Sequence, residues 1–189
     1  MAQAPYTWTG SLAGSDSAIV VVGNYDFLPG NFYGIKSWTV AVNGQLDCNR
    51  RNDTSSINNL ATPLCGIYTI GGTAPNFINF TEAVNALNIA GITCPVIFRV
   101  RNGTYNEQIE IGQILGSSSY NTITFESESG DSSLAVLNYQ TTNTFRDYSL
   151  SLNGTKYLTV RKLGVLRTNG QQSVLIQGGA HHLSFTNNK

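Results

Sequence analysis

The stretch that decides the fold runs from Cys65 to Ile111 and reads CGIYTIGGTAPNFINFTEAVNALNIAGITCPVIFRVRNGTYNEQIEI. It contains the only convincing helix pattern of the chain, between segments that favour β-strands. Asn79 can cap the start of this helix, and Glu82, three residues on, completes a capping box. Gly91 lies where a helix would end. We therefore predict a helix over Phe80 to Ala90.

The predicted helix and the segment after it carry different apolar patterns. Apolar residues at i, i+3, i+4 and i+7 give the helix one stripe that needs a flat partner. Pro95 to Val100 is a nearly continuous apolar run, which is typical of a parallel strand buried on both faces. Asn102 to Tyr105 predicts a turn, and the alternation over Glu107 to Ile111 predicts a strand with one solvated face. The stripe consists of Phe80, Ala83, Val84 and Leu87.

This order of elements resembles the first coil of the pectin-lyase-like right-handed parallel β-helices. It is similar in particular to modules of secreted Bacteroidetes proteins, which open with a phrase built on YTIGG, EAV, GTY and EQI. The likeness covers Cys65 to about Leu137. It implies an all-β fold, a right-handed parallel β-helix whose single helix lies over the open N-terminal end of the stack. It also implies a secreted or cell-surface location.

The C-terminal half carries a weak repeat that agrees with stacked coils. Residues 152–154 recur at 176–178, and residues 157–160 recur at 182–185. A period in the twenties is typical of one solenoid turn. The strand candidates are Asn121 to Glu126, Leu134 to Tyr139, Tyr148 to Leu152, Tyr157 to Val160, Ser173 to Ile176 and His182 to Thr186. The residues predicted to point into the core are Val96, Phe98, Ile109, Ile123, Phe125, Leu150, Leu158 and Ile176.

The composition indicates an exported protein. Of 189 residues, 41% are hydrophobic and 12% are charged, which allows one substantial core. Eleven basic residues balance 11 acidic ones, so no electrostatic pattern points to nucleic acid or to an anionic membrane. No apolar run is long enough for a membrane span. Met1 to Pro5 indicates a start residue joined to a mature exported N-terminus, so we expect a removed signal peptide.

We predict three parts in the chain. Residues 1–46 form a small antiparallel β unit, since short β-like runs alternate there with Gly and Pro. Residues 47–64 are polar and without a period, which indicates a linker. Residues 65–189 form the parallel β-helix, which we expect to be incomplete at its C-terminus. The β-like runs of the first part are Tyr6 to Thr9, Ala18 to Val22 and Ser37 to Val42.

The three cysteines are Cys48, Cys65 and Cys94, an odd number that leaves at least one unpaired within the chain. If Cys65 and Cys94 each begin a strand of successive coils, their Cα atoms lie about 5 Å apart, within disulfide reach. We favour this pairing. A bond between Cys48 and Cys65 is the competitor, and three unlinked thiols are the simplest alternative.

Aromatic, acidic and histidine residues supply the candidate sites. Trp8, Trp38, Tyr25 and Tyr33 are candidates for stacking on a glycan, with a small hydrophobic core as the alternative. Glu126, Glu128 and Asp131 are candidates for a calcium site, with a merely solvated turn as the alternative. His181 and His182 are neighbours on a predicted strand, so we expect one to face the core and one to face water. That expectation argues against a joint metal site, and no other cofactor is predicted.

Three functions follow as hypotheses. The leading one is a non-catalytic extracellular module or adhesin segment that presents a binding face to a glycan or a surface protein. The second is the N-terminal part of a polysaccharide lyase or esterase. In pectin methylesterases the resemblance extends to Gly103, Tyr105 and Glu107, whose role in the family is structural, but the catalytic D-F-I-F-G phrase is missing here. The third is a subunit that self-associates head to tail into filaments.

Overall fold

The computed structural model describes residues 4–28, 31–41, 45, 51, 53–140, 148–168 and 172–189. Regular structure in this part of the chain is almost entirely β-strand, with a single α-helix. The strands form one antiparallel pair near the N-terminus and three parallel sheets after it. The predicted all-β class is therefore confirmed.

The N-terminal pair consists of β1 (Phe32–Trp38) and β2 (Thr54–Ala61). Their register has an irregularity between Tyr33 and Ile35. The predicted antiparallel unit is present, but its partner strand comes from residues that we predicted to be a linker. The predicted runs Tyr6 to Thr9 and Ala18 to Val22 form no strand and are exposed. Local β propensity is not sufficient there, because a strand needs a neighbour to bond to.

From Leu64 onward the chain winds into a solenoid of about four turns. The first coil contains β3 (Leu64–Ile70) and α1 (Phe80–Ala90). The second contains β4 (Ile92–Val100), β5 (Gly103–Asn106) and β6 (Ile109–Ile111). The third contains β7 (Ile123–Ser127), β8 (Ala135–Gln140) and β9 (Leu150–Asn153). The fourth contains β10 (Lys156–Arg161), β11 (Gly164–Thr168) and β12 (Val174–Gln177), and β13 (His181–Thr186) follows.

Equivalent strands of successive coils pair in parallel and form three sheets. The largest has the order β3, β4, β7, β10 and β13, and the two smaller sheets have the orders β5, β8, β11 and β6, β9, β12. Leu152 pairs with Ile176, and Val160 pairs with Phe185. These are the positions that the sequence repeat equates, so the repeat is confirmed at these strands. Equivalent positions of earlier coils are further apart in the chain, as in the pair Ile109 and Leu150.

The core is a set of side-chain columns that run along the stack. In the central column the rings of Phe98 and Phe125 stack with centroids 4.5 Å apart and planes inclined by 17°. Tyr68, one strand further down, packs on Phe98 at 5.9 Å. Seven of the eight predicted core residues are buried. The eighth prediction is wrong, because Ile176 lies on the edge strand β12 and is 52% exposed.

The helix α1 has the predicted bounds and the predicted caps. The Asn79 side chain accepts a hydrogen bond from the Glu82 amide at 2.9 Å, and the Glu82 carboxylate accepts one from the Ile78 amide at 2.9 Å. Gly91 ends the helix with a φ of 67°, a conformation that favours glycine. The helix packs on β3 and β6 and contributes its apolar stripe to the core. It therefore covers the start of the stack, as predicted.

Two strands of the smaller sheets differ from the sequence prediction. Residues 102–105 were expected to form a turn, yet β5 occupies most of that segment and pairs with β8. The strand β11 was not predicted, since Gly164–Thr168 lies between two segments with clearer patterns. Both strands are short and depend on parallel neighbours, which a local pattern does not reveal. No helix among the described residues is long and apolar enough to cross a membrane.

Candidate functional site

The largest sheet of the solenoid has five strands and turns one face outward. On β4 the side chains of Val96, Phe98 and Val100 point inward, so Ile97 and Arg99 point outward. Parallel register then places outward residues of neighbouring strands in straight rows. We call the two rows together the sheet face. Its rows are Thr69, Arg99, Glu126, Arg161, Thr186 and Ile67, Ile97, Thr124, Thr159, Ser184.

The centre of the sheet face is a ladder of opposite charges. The Glu126 carboxylate lies between two guanidinium groups, 3.6 Å from Arg99 Nε and 2.7 Å from Arg161 Nε. The Glu126 side chain is 16% exposed, whereas Arg99 and Arg161 are 46% and 45% exposed. Cross-strand pairs of opposite charge stabilise a sheet modestly, by about 0.2–1 kcal/mol each. The ladder therefore fixes the positions of two exposed arginines more than it adds to stability.

The predicted calcium ligands are not gathered around a common point. Glu126 lies in the ladder, and Glu128 pairs with Arg101 at 3.3 Å. Asp131 instead accepts hydrogen bonds from the Ser133 hydroxyl at 2.7 Å and the Ser133 amide at 2.8 Å. These bonds hold the pKa of Asp131 below its ordinary value. Across the described ranges, no three His, Cys, Asp or Glu side chains come close enough to hold a metal ion.

The four predicted glycan-stacking residues separate into two kinds. Tyr25 and Tyr33 pack edge to face with Phe27, with ring centroids 4.8–5.7 Å apart. Trp8 and Trp38 are exposed, and no described ring contact links them to this cluster. The four rings therefore do not form one continuous platform, and glycan stacking stays a prediction.

The predicted disulfide is present. Cys65 of β3 and Cys94 of β4 are bonded, and their Cα atoms are 4.9 Å apart. The bond joins the first two coils at neighbouring positions of the largest sheet. This pairing excludes the alternative bond between Cys48 and Cys65, and Cys48 itself lies outside the described residues.

The matched residues Tyr105 and Glu107 have structural roles, as the resemblance implied. The Glu107 carboxylate accepts hydrogen bonds from the Phe80 amide at 3.1 Å and the Thr81 amide at 2.7 Å. It also accepts one from the Thr81 hydroxyl. These amides are two of the free donors at the start of α1. Sequence reasoning missed this second cap, because it joins residues that are far apart in the chain.

Tyr105 locks the corner between the first and second coils. Its hydroxyl lies 2.9 Å from the Arg101 carbonyl and 3.2 Å from the Ile70 carbonyl. Burial, followed by the negative charge of Glu107, raises the pKa of Tyr105. Gly71 is required at this corner, since its φ is 74° and a Cβ atom there would meet the Tyr105 hydroxyl.

A cluster of polar side chains around Glu110 lies on the sheet formed by β6, β9 and β12. The Glu110 carboxylate accepts hydrogen bonds from Ser151 at 3.2 Å, Asn153 at 3.3 Å and Tyr148 at 3.4 Å. Gln177 extends this group through the Ser151 hydroxyl at 3.3 Å. Three donors on one carboxylate indicate a role in holding neighbouring coils together.

The cavity between the coils is too small to hold a substrate. That cavity has a volume of about 10 Å³ and an entirely apolar lining that includes Phe80, Phe125 and Val165. A space of this size holds at most one water molecule, and its apolar walls offer a water no partner.

The expectation for the two histidines is wrong. His181 and His182 are both exposed, and their Nδ1 atoms lie 2.5 Å apart on the same side of the chain. The cause is the backbone of His182, whose φ of 55° departs from the extended conformation in which neighbours alternate.

Comparison with models of known families gives no match for this chain, and comparison with curated proteins gives none either.

Proposed function

We propose that this chain is a non-catalytic β-solenoid module of a secreted or cell-surface protein, which binds a glycan or another protein through the sheet face. The observation that carries the proposal is the register of the five strands, which holds Arg99, Glu126 and Arg161 in one row. Side chains that are fixed before binding lose little conformational entropy when a partner docks. A flat and pre-organised surface of this kind is suited to recognition.

The pairing of the acids favours recognition over catalysis. A general acid or base needs a carboxyl group that is free to exchange a proton with a substrate. On the sheet face the Glu126 carboxylate is paired with Arg99 and Arg161, and just beyond the end of β7 Glu128 is paired with Arg101. A substrate would have to displace these guanidinium groups to reach either carboxylate.

The disulfide supports an exported location. Disulfides form and persist in oxidising compartments and are rare in the cytosol. The bond between Cys65 and Cys94 joins two coils, so its formation stabilises the solenoid directly. Membership of the pectin-lyase-like modules of secreted Bacteroidetes proteins is part of the same proposal, and it is supported by the parallel β-solenoid fold.

The dimensions of the sheet face suggest the strength of the contact. Five strands about 4.8 Å apart, with about five residues along each, give a surface of roughly 20 by 17 Å. That area is about half of the roughly 800 Å² that each partner buries in a standard protein interface. We therefore expect a weak contact that several modules or neighbouring surfaces reinforce.

Binding measurements on a matched set of variants test the proposal. We expect the untagged chain to bind a subset of a glycan array or of purified cell-surface proteins, and the double variant Arg99→Ser, Arg161→Ser to lose that binding. Lys36→Ser, which removes a charge from β1, serves as the control and should bind as the parent does. Equal binding by all three proteins would exclude the sheet face. Release of an unsaturated product from a polyuronate in the presence of calcium would instead favour the lyase alternative.

Self-association is a second candidate, and the edge strands favour it. Phe185 on β13 and Ile176 on β12 are 39% and 52% exposed although both occupy positions that point inward in the other coils. Exposed strand edges with apolar side chains recruit further strands. A neighbouring copy or further residues of the same polypeptide would cover them. We expect light scattering to show a mass that rises with concentration and that falls back in Phe185→Ser, whereas a strictly monomeric parent chain would exclude this candidate.

A further inference from the structure

From the meeting of His181 and His182 we infer a binding site for one late transition-metal ion, such as Cu²⁺ or Zn²⁺, whose two protein ligands are the Nδ1 atoms of these rings. The site is independent of the sheet-face proposal. Imidazole nitrogen suits copper, zinc and nickel, whereas calcium and magnesium prefer oxygen ligands. The ligand set therefore selects the class of ion.

The backbone brings the two rings together. His182 has a φ of 55°, and Tyr157, which lies in the neighbouring strand, also has a φ of 55°. In the register of β10 and β13, Lys156 pairs with His181 and Leu158 pairs with Leu183. Tyr157 and His182 lie between these pairs and therefore occupy the same position in successive coils. Left-handed conformations are costly for residues other than glycine, although histidine is enriched among the exceptions. The unusual conformation recurs at the place where the histidines converge.

Neighbouring groups hold the rings in place. Tyr157 stacks on the His182 ring with centroids 4.6 Å apart and planes inclined by 26°. It also meets the His181 ring edge-on at 6.1 Å. The His181 amide is fixed by a hydrogen bond of 3.1 Å to the Thr155 carbonyl of the preceding coil. Both ligands therefore start from an ordered position, which limits the entropy lost when an ion binds.

The geometry is close to what a shared ion requires. Zinc binds histidine nitrogen at about 2.0–2.1 Å with tetrahedral angles, so two ligands of one ion lie roughly 3.3 Å apart. The Nδ1 atoms are 2.5 Å apart, so the two exposed rings have to open by roughly 0.8 Å, which small rotations of both side chains allow. The two protein ligands leave the remaining coordination positions to water or to a donor from another molecule.

Binding of the ion needs no added base, because the total number of protons on the two histidine rings does not change. Two neutral rings share a hydrogen bond between their Nδ1 atoms only when one ring carries its hydrogen on Nδ1 and the other carries it on Nε2. With the ion bound, both rings carry their hydrogen on Nε2, and no proton is released overall. Lys156 pairs with His181 across β10 and β13 and carries a positive charge beside the site. The Lys156 charge opposes the ion itself, so the affinity is expected to be moderate.

Titration of the untagged chain with CuCl₂ and, separately, with ZnCl₂ tests the inference. The chain has only two histidines, so imidazole signals report on this site alone. Calorimetry should give one ion per chain, and the electron paramagnetic resonance spectrum of the copper form should show coupling to two nitrogens. All proteins carry Cys48→Ser, because a third cysteine is a competing ligand.

Three variants distinguish a metal site from a chance contact. We expect His181→Gln and His182→Asn each to weaken binding by about tenfold or more. Mutation of a residue that only supports a metal ligand already lowers metal affinity about 10–100-fold. Asparagine tolerates the left-handed conformation, so the second variant should fold normally. Glu128→Gln is the control, because Glu128 follows the C-terminal end of β7 whereas the histidines begin β13, and this variant should bind as the parent does. Equal affinity in all four proteins, or no binding of either ion by the parent, would overturn the inference.

Discussion

The N-terminal segment and the solenoid contain similar residue types but bury them very differently. In the segment that ends with β2, Trp38, Ile35 and Ile57 are exposed, although they lie on paired strands. In the solenoid, Phe98 and Ile123 are fully buried on strands of comparable length. Two strands have a face but nothing to cover it, whereas three sheets wound around a common axis cover one another. Burial here depends on stacking more than on composition.

The largest effect should come from the central ring column. Phe98→Ala is expected to destabilise the solenoid by about 3–5 kcal/mol, because it removes a ring that packs on both sides. Trp38→Ala is the matched change in β1 and should alter the free energy of unfolding by no more than about 0.5 kcal/mol. Urea titrations followed by far-ultraviolet circular dichroism measure both.

The two regions can also be followed separately in that titration. Both tryptophans precede the solenoid, so tryptophan emission reports on the N-terminal segment, while dichroism reports mainly on the coils. In both the parent and Phe98→Ala, the emission and dichroism transitions should occur at different urea concentrations. Coinciding transitions would mean that the N-terminal segment and the solenoid unfold as one unit.

The disulfide should have the next largest effect. It closes a loop with a sequence separation of 29 residues, for which chain entropy gives about 3–4 kcal/mol of stabilisation. Cys65→Ser with Cys94→Ser should therefore lower the unfolding free energy of the solenoid by about that amount. Reduction of the parent with dithiothreitol should reproduce the loss, and Cys48→Ser should leave the stability unchanged. A loss confined to tryptophan emission would contradict this assignment.

A smaller effect is expected at the helix that begins the solenoid. Glu107→Ala removes three hydrogen bonds at the N-terminus of α1, and helix caps are worth about 0.5–2 kcal/mol. The control is Glu128→Ala, which breaks an exposed ion pair worth at most about 1 kcal/mol. Thermal unfolding should separate the two variants, with the Glu107 variant melting at the lower temperature. The reverse order would mean that the cap is dispensable.

The smallest expected effect is a dependence on alkaline pH. The pKa of Tyr105 is raised in the folded state, so the stability that its neutral form contributes is fully present below the unfolded pKa. That contribution is lost as the pH rises through the folded pKa. Tyr105→Phe should be less stable near neutral pH, because it lacks the hydroxyl hydrogen bond, yet its stability should fall less steeply above pH 9 or so. Parallel slopes for parent and variant would show that Tyr105 does not titrate with unfolding.

The sequence predicted most accurately those elements whose signal lies within one short segment. The bounds of α1 follow from Asn79, Glu82 and Gly91, all of which act within one turn of the helix end. The buried strand β4 follows from its apolar run, and the equivalence of Leu152 and Ile176 follows from the repeat. The core position of Ile176 did not follow, since burial needs a neighbour beyond β12.

Sequence alone therefore predicted the class of fold, the helix and the repeat of the last coils, and it favoured the pairing of Cys65 with Cys94 over its alternatives. These depend on capping, apolar period and strand spacing, which are properties of short segments. Only the tertiary structure decided that Glu126 lies between two arginines, that Glu107 caps a distant helix and that His181 meets His182. Each of these depends on the register between coils or on one backbone angle. A shift of one residue in register would move every such side chain to the opposite face.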